Sequence, residues 1–216
     1  MQLVASIADP MDIPEAEADG ADMIELRLDL FPRHLPESAV RAIRECRLPI
    51  LLTVRSSEEG GAFSGNPGDW KALMEPWLTR AAMIDIEQRF SRKADYYWNL
   101  GKGVIASFHT KEMPSGEELQ EIASTLRSYG IPKIVVGPRS PEDVLSICAF
   151  TLHTEKPVIT GIMGSRFRFA RLILPLFGSS LLFCAAGRPT AEGQFTVREA
   201  RLILTLFANS GLEGRE

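Results

Sequence analysis

The sequence predicts a (β/α)₈ barrel of parallel strands. Three observations lead there. Short apolar runs rich in strand formers recur eight times, helix signals fill the intervals, and no linker breaks the alternation. Strands buried on both faces read as near-continuous apolar segments rather than as alternating ones, which is the mark of a parallel sheet. A closed barrel and an open doubly wound sheet both satisfy an unbroken βα alternation. Eight strands within 216 residues, starting about every 25 residues, favour the barrel and a single domain over residues 1–216.

The strands are read at Leu3–Ile7, Met23–Asp29, Ile50–Arg55, Met83–Glu87, Val104–His109, Lys133–Gly137, Val158–Met163 and Leu181–Ala186. Helix signals follow several of them. After the second run, Pro36 marks a helix start, Val40, Ile43 and Cys46 share one face, and Pro49 ends it. After the fifth, Ser115 and Glu118 form a capping box, Leu119, Ile122 and Leu126 fall on one face, and Gly130 stops the helix. Ser140 caps the next helix with Pro141 at its first position, and Thr196 with Glu199 repeats the capping box after the eighth run. Gly101, Gly103 and Ala106 spell G-x-G-x-x-A, a degenerate dinucleotide fingerprint, but the pattern enters a strand instead of opening a helix. It is read as a turn before the fifth strand.

Composition excludes several classes. The chain is 45% hydrophobic and 24% charged with a formal net charge of −4, an ordinary globular profile without the excess of Lys and Arg that a nucleic-acid surface needs. No apolar run reaches the roughly 18 residues needed to span a bilayer. The N-terminal residues lack a basic stretch and a cleavage site, so no secretory leader is expected. Cys46, Cys148 and Cys184 lie far apart without a C-x-x-C pair, which fits reduced, packed thiols and a cytoplasmic location.

Charged residues sit inside the apolar runs, where they are costly unless paired or functional. Glu25 and Arg27 are two apart in the second run. Arg55 ends the third, Glu87 the fourth and His109 the fifth, and Lys133 opens the sixth. Each alone has a structural reading: an ion pair for Glu25 and Arg27, a hydrogen-bonded histidine for His109, a solvated strand start for Lys133. Their recurrence at equivalent places on five successive strands points to a shared pocket at the C-terminal mouth of the barrel. The residue types suggest the chemistry. A lysine amine beside Ile134, Val135 and Val136 is expected to have its ammonium disfavoured, and as the free amine it attacks a ketone. The resulting iminium acidifies the adjacent carbon, and a histidine removes that proton and returns it to a leaving hydroxyl. Glu87 is expected to orient the imidazole. Arginines bind a carboxylate bidentately. Schiff-base aldolases use the same groups, so the reaction stays open at this level. A barrel that only binds a small anion would need no nucleophile.

Longer strings narrow the choice. IELRLDLF (Ile24–Phe31), LLTVRSSEEGGAF (Leu51–Phe63), IDIE (Ile84–Glu87), ASFHT (Ala106–Thr110), IPKIVV (Ile131–Val136) and FARLILPLFGSSLLFCAAGRPTAEGQF (Phe169–Phe195) resemble the type I 3-dehydroquinate dehydratases, in the family's order and across most of the chain. The resemblance implies a (β/α)₈ fold and dehydration of 3-dehydroquinate to 3-dehydroshikimate in the shikimate pathway, with neither metal nor organic cofactor. It implies Lys133 as the Schiff-base lysine, His109 as the general acid/base and Glu87 as its orienting partner. Glu25, Arg27 and Arg55 become contacts to ring hydroxyls, and Arg171 the carboxylate clamp. Gln194 becomes the glutamine of a closing loop, with Thr190 supplying a hydroxyl, and Met163 a wall beside the iminium. The closing-loop glutamine and the hydroxyl-binding set speak against an aldolase. Two departures stand out. Glu192 adds a charge to the closing loop and is expected to point outward. Arg166 and Arg168 precede Arg171 and are expected to be surface charges. Association into a homodimer is left open.

Overall fold

A computed structural model describes residues 1–210. Its strands and helices alternate as β1 (Gln2–Ile7), α1 (Ile13–Ala18), β2 (Met23–Arg27), α2 (Glu37–Glu45), β3 (Ile50–Thr53), α3 (Pro67–Met74), β4 (Ala81–Glu87), α4 (Ala94–Asn99), β5 (Gly103–His109), α5 (Gly116–Arg127), β6 (Ile131–Val136), α6 (Pro141–His153), β7 (Ile159–Ile162), α7 (Ala170–Ile173), β8 (Leu181–Ala185) and α8 (Val197–Asn209). All eight strands are parallel, in the order β7-β6-β5-β4-β3-β2-β1-β8. The seam between β7 and β8 closes through a bridge between Val158 and Ser179, where the Ser180 amide donates to the Val158 carbonyl at 2.9 Å. The Thr160 amide also donates to Ser179 Oγ at 3.0 Å. This is a (β/α)₈ barrel. Among the described residues, no helix is long and apolar enough to cross a membrane.

The local signals act as expected. The Ser115–Glu118, Ser140–Asp143 and Thr196–Glu199 pairs form reciprocal capping boxes at the starts of α5, α6 and α8. Asn66 and Asp69 form a fourth at α3, which the sequence reading passed over. Each box satisfies amide groups that a helix start otherwise leaves bare. Gly101 takes a positive φ of 72° in the turn ahead of β5, so the degenerate glycine pattern is a turn. Several strands stop earlier than the apolar runs do. After Arg27 the chain enters a 3-10 turn over Leu28–Leu30, and β3 ends at Thr53, so that Arg27 closes its strand and Arg55 lies just beyond one.

Side chains alternate along a strand, and that period builds the interior in layers. The lowest holds one residue from each strand: Val4, Met23, Leu51, Met83, Ile105, Ile131, Ile159 and Leu181. These pack together as an apolar floor. Two residues further along stand Ser6, Glu25, Thr53, Asp85, Ser107, Lys133, Gly161 and Phe183. Two further again come Arg27, Arg55, Glu87, His109, Val135 and Met163. The intervening residues, such as Ile24, Leu52, Ile84, Ala106 and Ile134, face outward and are sealed by the helices. A dry floor beneath two polar layers places the chemistry at the strands' C-terminal end.

Trp70 anchors α3 to the sheet. It is fully buried, stacks on Phe90 at 5.2 Å, meets the edge of Tyr97 at 6.0 Å, and donates its indole N–H to the Val54 carbonyl at 3.3 Å. Trp70→Ala is expected to lower the unfolding free energy by about 3–5 kcal/mol, as large aromatic truncations in a packed core do. Urea unfolding checks this, and a loss below about 1 kcal/mol, the range of surface substitutions, contradicts the assignment.

Candidate active site

The polar layers open into a cavity of about 420 Å³ at the barrel mouth. Glu25, Arg27, Arg55, His109, Lys133, Met163, Arg171, Thr190 and Gln194 all line it, so nine of the ten residues singled out in the sequence come together. Glu87 does not line it.

Arg55 is the hub. Its Nη2 lies 2.8 Å from Asp85 Oδ1, and its Nη1 lies 3.0 Å from Glu59 Oε2, 3.2 Å from Glu87 Oε1 and 3.0 Å from Ser107 Oγ. Asp85 then reaches the lysine: its Oδ2 accepts from Lys133 Nζ at 2.9 Å, while Ser107 Oγ donates to its Oδ1 at 2.6 Å. Burial pushes the Asp85 carboxyl up, but Arg55 and Lys133 outweigh it and hold the group well below the usual carboxylate range. Glu25 accepts from Ser6 Oγ at 2.5 Å and Thr53 Oγ1 at 2.8 Å, and its Oε1 lies 4.0 Å from Lys133 Nζ. Lys133 Nζ sits over the Phe183 ring, 3.7 Å from the centroid.

These neighbours correct the expected reason for the lysine's reactivity. Ile134 and Val136 point away from the amine into the layer beneath the helices. What faces Nζ is an aromatic ring and two carboxylates. Asp85 and Phe183 were both missed in the sequence, though each lies in the layer that alternation from Glu25 and Lys133 defines. Arg55 lines the cavity, as expected, and four groups already contact its two terminal nitrogens, so it also holds those side chains in place.

The partner of the histidine is a second correction. His109 Nδ1 lies 2.8 Å from Glu59 Oε2. Glu87 instead accepts from the Ser56 amide at 2.6 Å and from Arg55, and so anchors the start of the loop after β3. That loop folds back on Arg55: the Phe63 amide donates to the Arg55 carbonyl at 3.0 Å, and a Cβ on Gly61 would meet that carbonyl oxygen at 2.1 Å. Glycine permits the approach, and the turn swings Glu59 over the mouth. Burial pushes the Glu59 carboxyl up, Arg55 opposes it, Glu87 and Asp85 add to the rise, and the balance lies at about 8. Burial, with Arg55 and Lys133, pushes the His109 imidazole well below its ordinary value.

Two arginines rim the cavity in different states. Arg27 is held by Asp29 in a fork, Nε to Oδ1 at 2.9 Å and Nη2 to Oδ2 at 2.7 Å, and reaches the Thr190 carbonyl at 3.4 Å. Arg171 has no carboxylate within ion-pair distance among the described residues. Its Nη2 donates to the Glu192 carbonyl at 3.0 Å, its Nε is buried without a partner, and burial pushes its guanidinium down to about 10, still a cation at neutral pH. A buried cation with an unused donor beside a cavity suits an anionic ligand. Gln194 turns its side-chain oxygen into its own loop, accepting from the Thr190 and Ala191 amides at 2.9 and 3.0 Å. Arg166 is exposed, as expected, whereas Arg168 is half-buried over Phe195. Among the described residues, no group of three His, Cys, Asp or Glu side chains is placed to hold a metal ion.

Comparison with known proteins finds relatives over nearly the whole chain. The family model described as Type I 3-dehydroquinase matches residues 6–210. A 3-dehydroquinate dehydratase of Methanoregula boonei is 46% identical over 209 residues, covering 96% of this chain and 100% of the relative. One from Methanospirillum hungatei is 35% identical, covering 100% of this chain and 86% of its own. Among solved structures, the 3-dehydroquinate dehydratase from Aquifex aeolicus superposes with a TM-score of 0.83 at 27% identity, covering 96% of this chain and 99% of that one. The type I enzyme from Clostridium difficile, solved with covalently modified comenic acid, also gives 0.83, at 25% identity and 97% and 92% coverage.

The hub makes a stability prediction. Arg55→Met leaves Asp85, Glu59 and Glu87 buried without their shared cation, and breaking such a set costs about 3–5 kcal/mol. The depressed Asp85 carboxyl contributes stability above its unfolded pKa and loses it as pH falls through the folded value. The Glu59 carboxyl, raised to about 8, works the other way at neutral pH and is raised further without Arg55. The Asp85 term makes the deficit larger near neutrality than in acid, while the Glu59 term adds to it only above about 8. Denaturant unfolding at several pH values checks this, and a deficit that grows toward acid contradicts it.

Proposed function

The chain belongs to the type I 3-dehydroquinase family and is a 3-dehydroquinate dehydratase, a hydro-lyase of the shikimate pathway, and we propose that it works through an iminium between Lys133 and the substrate ketone. The observation that carries this reading is the placement of Nζ in the cavity, 2.9 Å from Asp85 and over Phe183. An iminium is a cation at the lysine nitrogen, and the carboxylates and ring already arranged around Nζ suit it. Such preorganised electrostatics stabilise developing charge without rearrangement during reaction.

The free amine adds to the ketone and, with one proton taken up from solvent, water leaves, giving the iminium. His109 takes a proton from the carbon beside it, and the electron pair moves into an enamine. The enamine expels the hydroxyl one carbon further on, with His109 returning the proton, so water departs. A water molecule then hydrolyses the conjugated iminium and releases 3-dehydroshikimate, the amine and the proton taken up in the first step. The net change is loss of one water.

Glu59 takes the orienting role expected of Glu87. With Nδ1–H donated to a Glu59 carboxylate, Nε2 is left free to act as the base. Arg171 binds the substrate carboxylate, Glu25 and Arg27 face its hydroxyls, Met163 walls the iminium, and Thr190 and Gln194 bring the closing loop over it. No metal or organic cofactor takes part, and the reaction is assigned to the cytoplasm. That the Clostridium difficile relative was solved with covalently modified comenic acid supports the covalent reading.

Two outcomes are expected. Treatment with 3-dehydroquinate and borohydride should inactivate the enzyme and leave a ligand-sized mass on Lys133, while borohydride alone should do little. Lys133→Ala should resist trapping and be nearly inactive. A Lys133→Ala variant with the normal rate would sink the mechanism, and trapping on Lys102, Lys111 or Lys156 would move it to another lysine. For pH, the base-competent pair is the one in which Glu59 has lost its proton, so kcat/KM should rise with pH through about 8. Glu59→Gln should abolish that limb and lower kcat by about 10²–10⁴-fold, the worth of general acid–base catalysis. An unaltered profile in Glu59→Gln would return the orienting role to another group.

A further inference from the structure

Glu192 places a negative charge in the loop that covers a cavity for an anionic substrate. Such a charge should repel the ligand, yet the residue also carries the carbonyl that holds Arg171. The structure shows how the two are reconciled. Ser165, in the segment between β7 and α7, donates its hydroxyl to Glu192 Oε1 at 2.6 Å. Glu192 lines the cavity and Ser165 does not, and both are solvent-exposed, so the hydroxyl ties the carboxylate to a residue outside the cavity wall. The same segment grips the loop at further points. Gly193 lies so close to Gly164 that a Cβ would meet the Gly164 carbonyl oxygen at 2.3 Å. Arg168 donates to the Gln194 carbonyl at 3.4 Å and lies over the Phe195 ring, 3.9 Å from its centroid. Arg171 closes the set through the Glu192 carbonyl at 3.0 Å.

We propose that Ser165 and Glu192 are positioning residues: their hydroxyl–carboxylate contact holds the closing loop so that the Glu192 carbonyl aligns Arg171, and it keeps the Glu192 charge away from the bound anion. This rests on the reading of Arg171 as the clamp for the substrate carboxylate. Ser165→Ala releases the carboxylate and one tie of the loop together. A charge-assisted hydrogen bond on an exposed surface is worth roughly a 5-fold change in an equilibrium. The effect should fall on binding, because neither group touches the reacting carbons.

Steady-state kinetics with 3-dehydroquinate at low and high ionic strength test the proposal. For Ser165→Ala, KM should rise roughly 5-fold at low salt with kcat changed less than about twofold, and the rise should shrink at high salt, where a freed surface charge is screened. Adding Glu192→Gln to Ser165→Ala should remove the salt-dependent part. Ser165→Thr, which keeps the hydroxyl, should bind as the parent does. An unchanged KM in Ser165→Ala, or a rise indifferent to both salt and Glu192→Gln, overturns the latch. Arg171→Ala separates the two levels. If it raises KM while Ser165→Ala does not, only the latch fails; if it leaves KM and kcat/KM unaltered, the clamp fails and the latch with it.

Discussion

The structure turns on one ion cluster, Arg55 with Asp85, Glu59 and Glu87, extended through Asp85 to Lys133. Removing each of these charges from water costs several kcal/mol, a cost that close pairing offsets. Together they satisfy one another. Asp85 is the joint, because one oxygen serves the arginine and the serine of β5 while the other serves the lysine of β6. Four successive strands are thereby locked in relative height at the level where substrate must bind. The apolar floor beneath excludes water from below, and this raises both the cost of the charges and the strength of their pairing.

That cluster also explains how two similar acids come to differ. Asp85 faces two cations and stays far below the usual range. Glu59 lies a layer higher, shares its arginine with two other carboxylates, and rises to about 8. One acid is thus a permanent counter-charge for a cation on Lys133. The other exchanges a proton near neutrality in contact with an imidazole that burial keeps neutral. Environments that push like groups apart are how a single site supplies both fixed charge and a mobile proton.

Much of this was legible in the residues because the interior obeys a period of two. Glu25 and Lys133 mark one layer, and Arg27, Arg55 and His109 the next; apolar neighbours on the same strands make them conspicuous. The eight strands and four of the helix starts were legible for the same reason, since periodicity and capping are local. Asp85 was within reach of that reasoning, as it stands two residues before Glu87 on the same face. It escaped because the strand-ending acid drew the attention.

Glu59 escaped for a different reason. It lies in a loop, where no period applies, and its place over the mouth depends on a turn that only Gly61 can make against the Arg55 carbonyl. Its partner is 50 residues away in sequence, and nothing local pairs them. The two acids, Glu59 and Glu87, follow Arg55 and end β4 respectively, and both contact the same arginine nitrogen. Chemistry alone could assign either to the histidine. The choice is made by the loop, which brings Glu59 to the imidazole and leaves Glu87 to bind the Ser56 amide and fix the loop's origin. The strand acid therefore acts on the imidazole at one remove, by holding the turn that carries the loop acid.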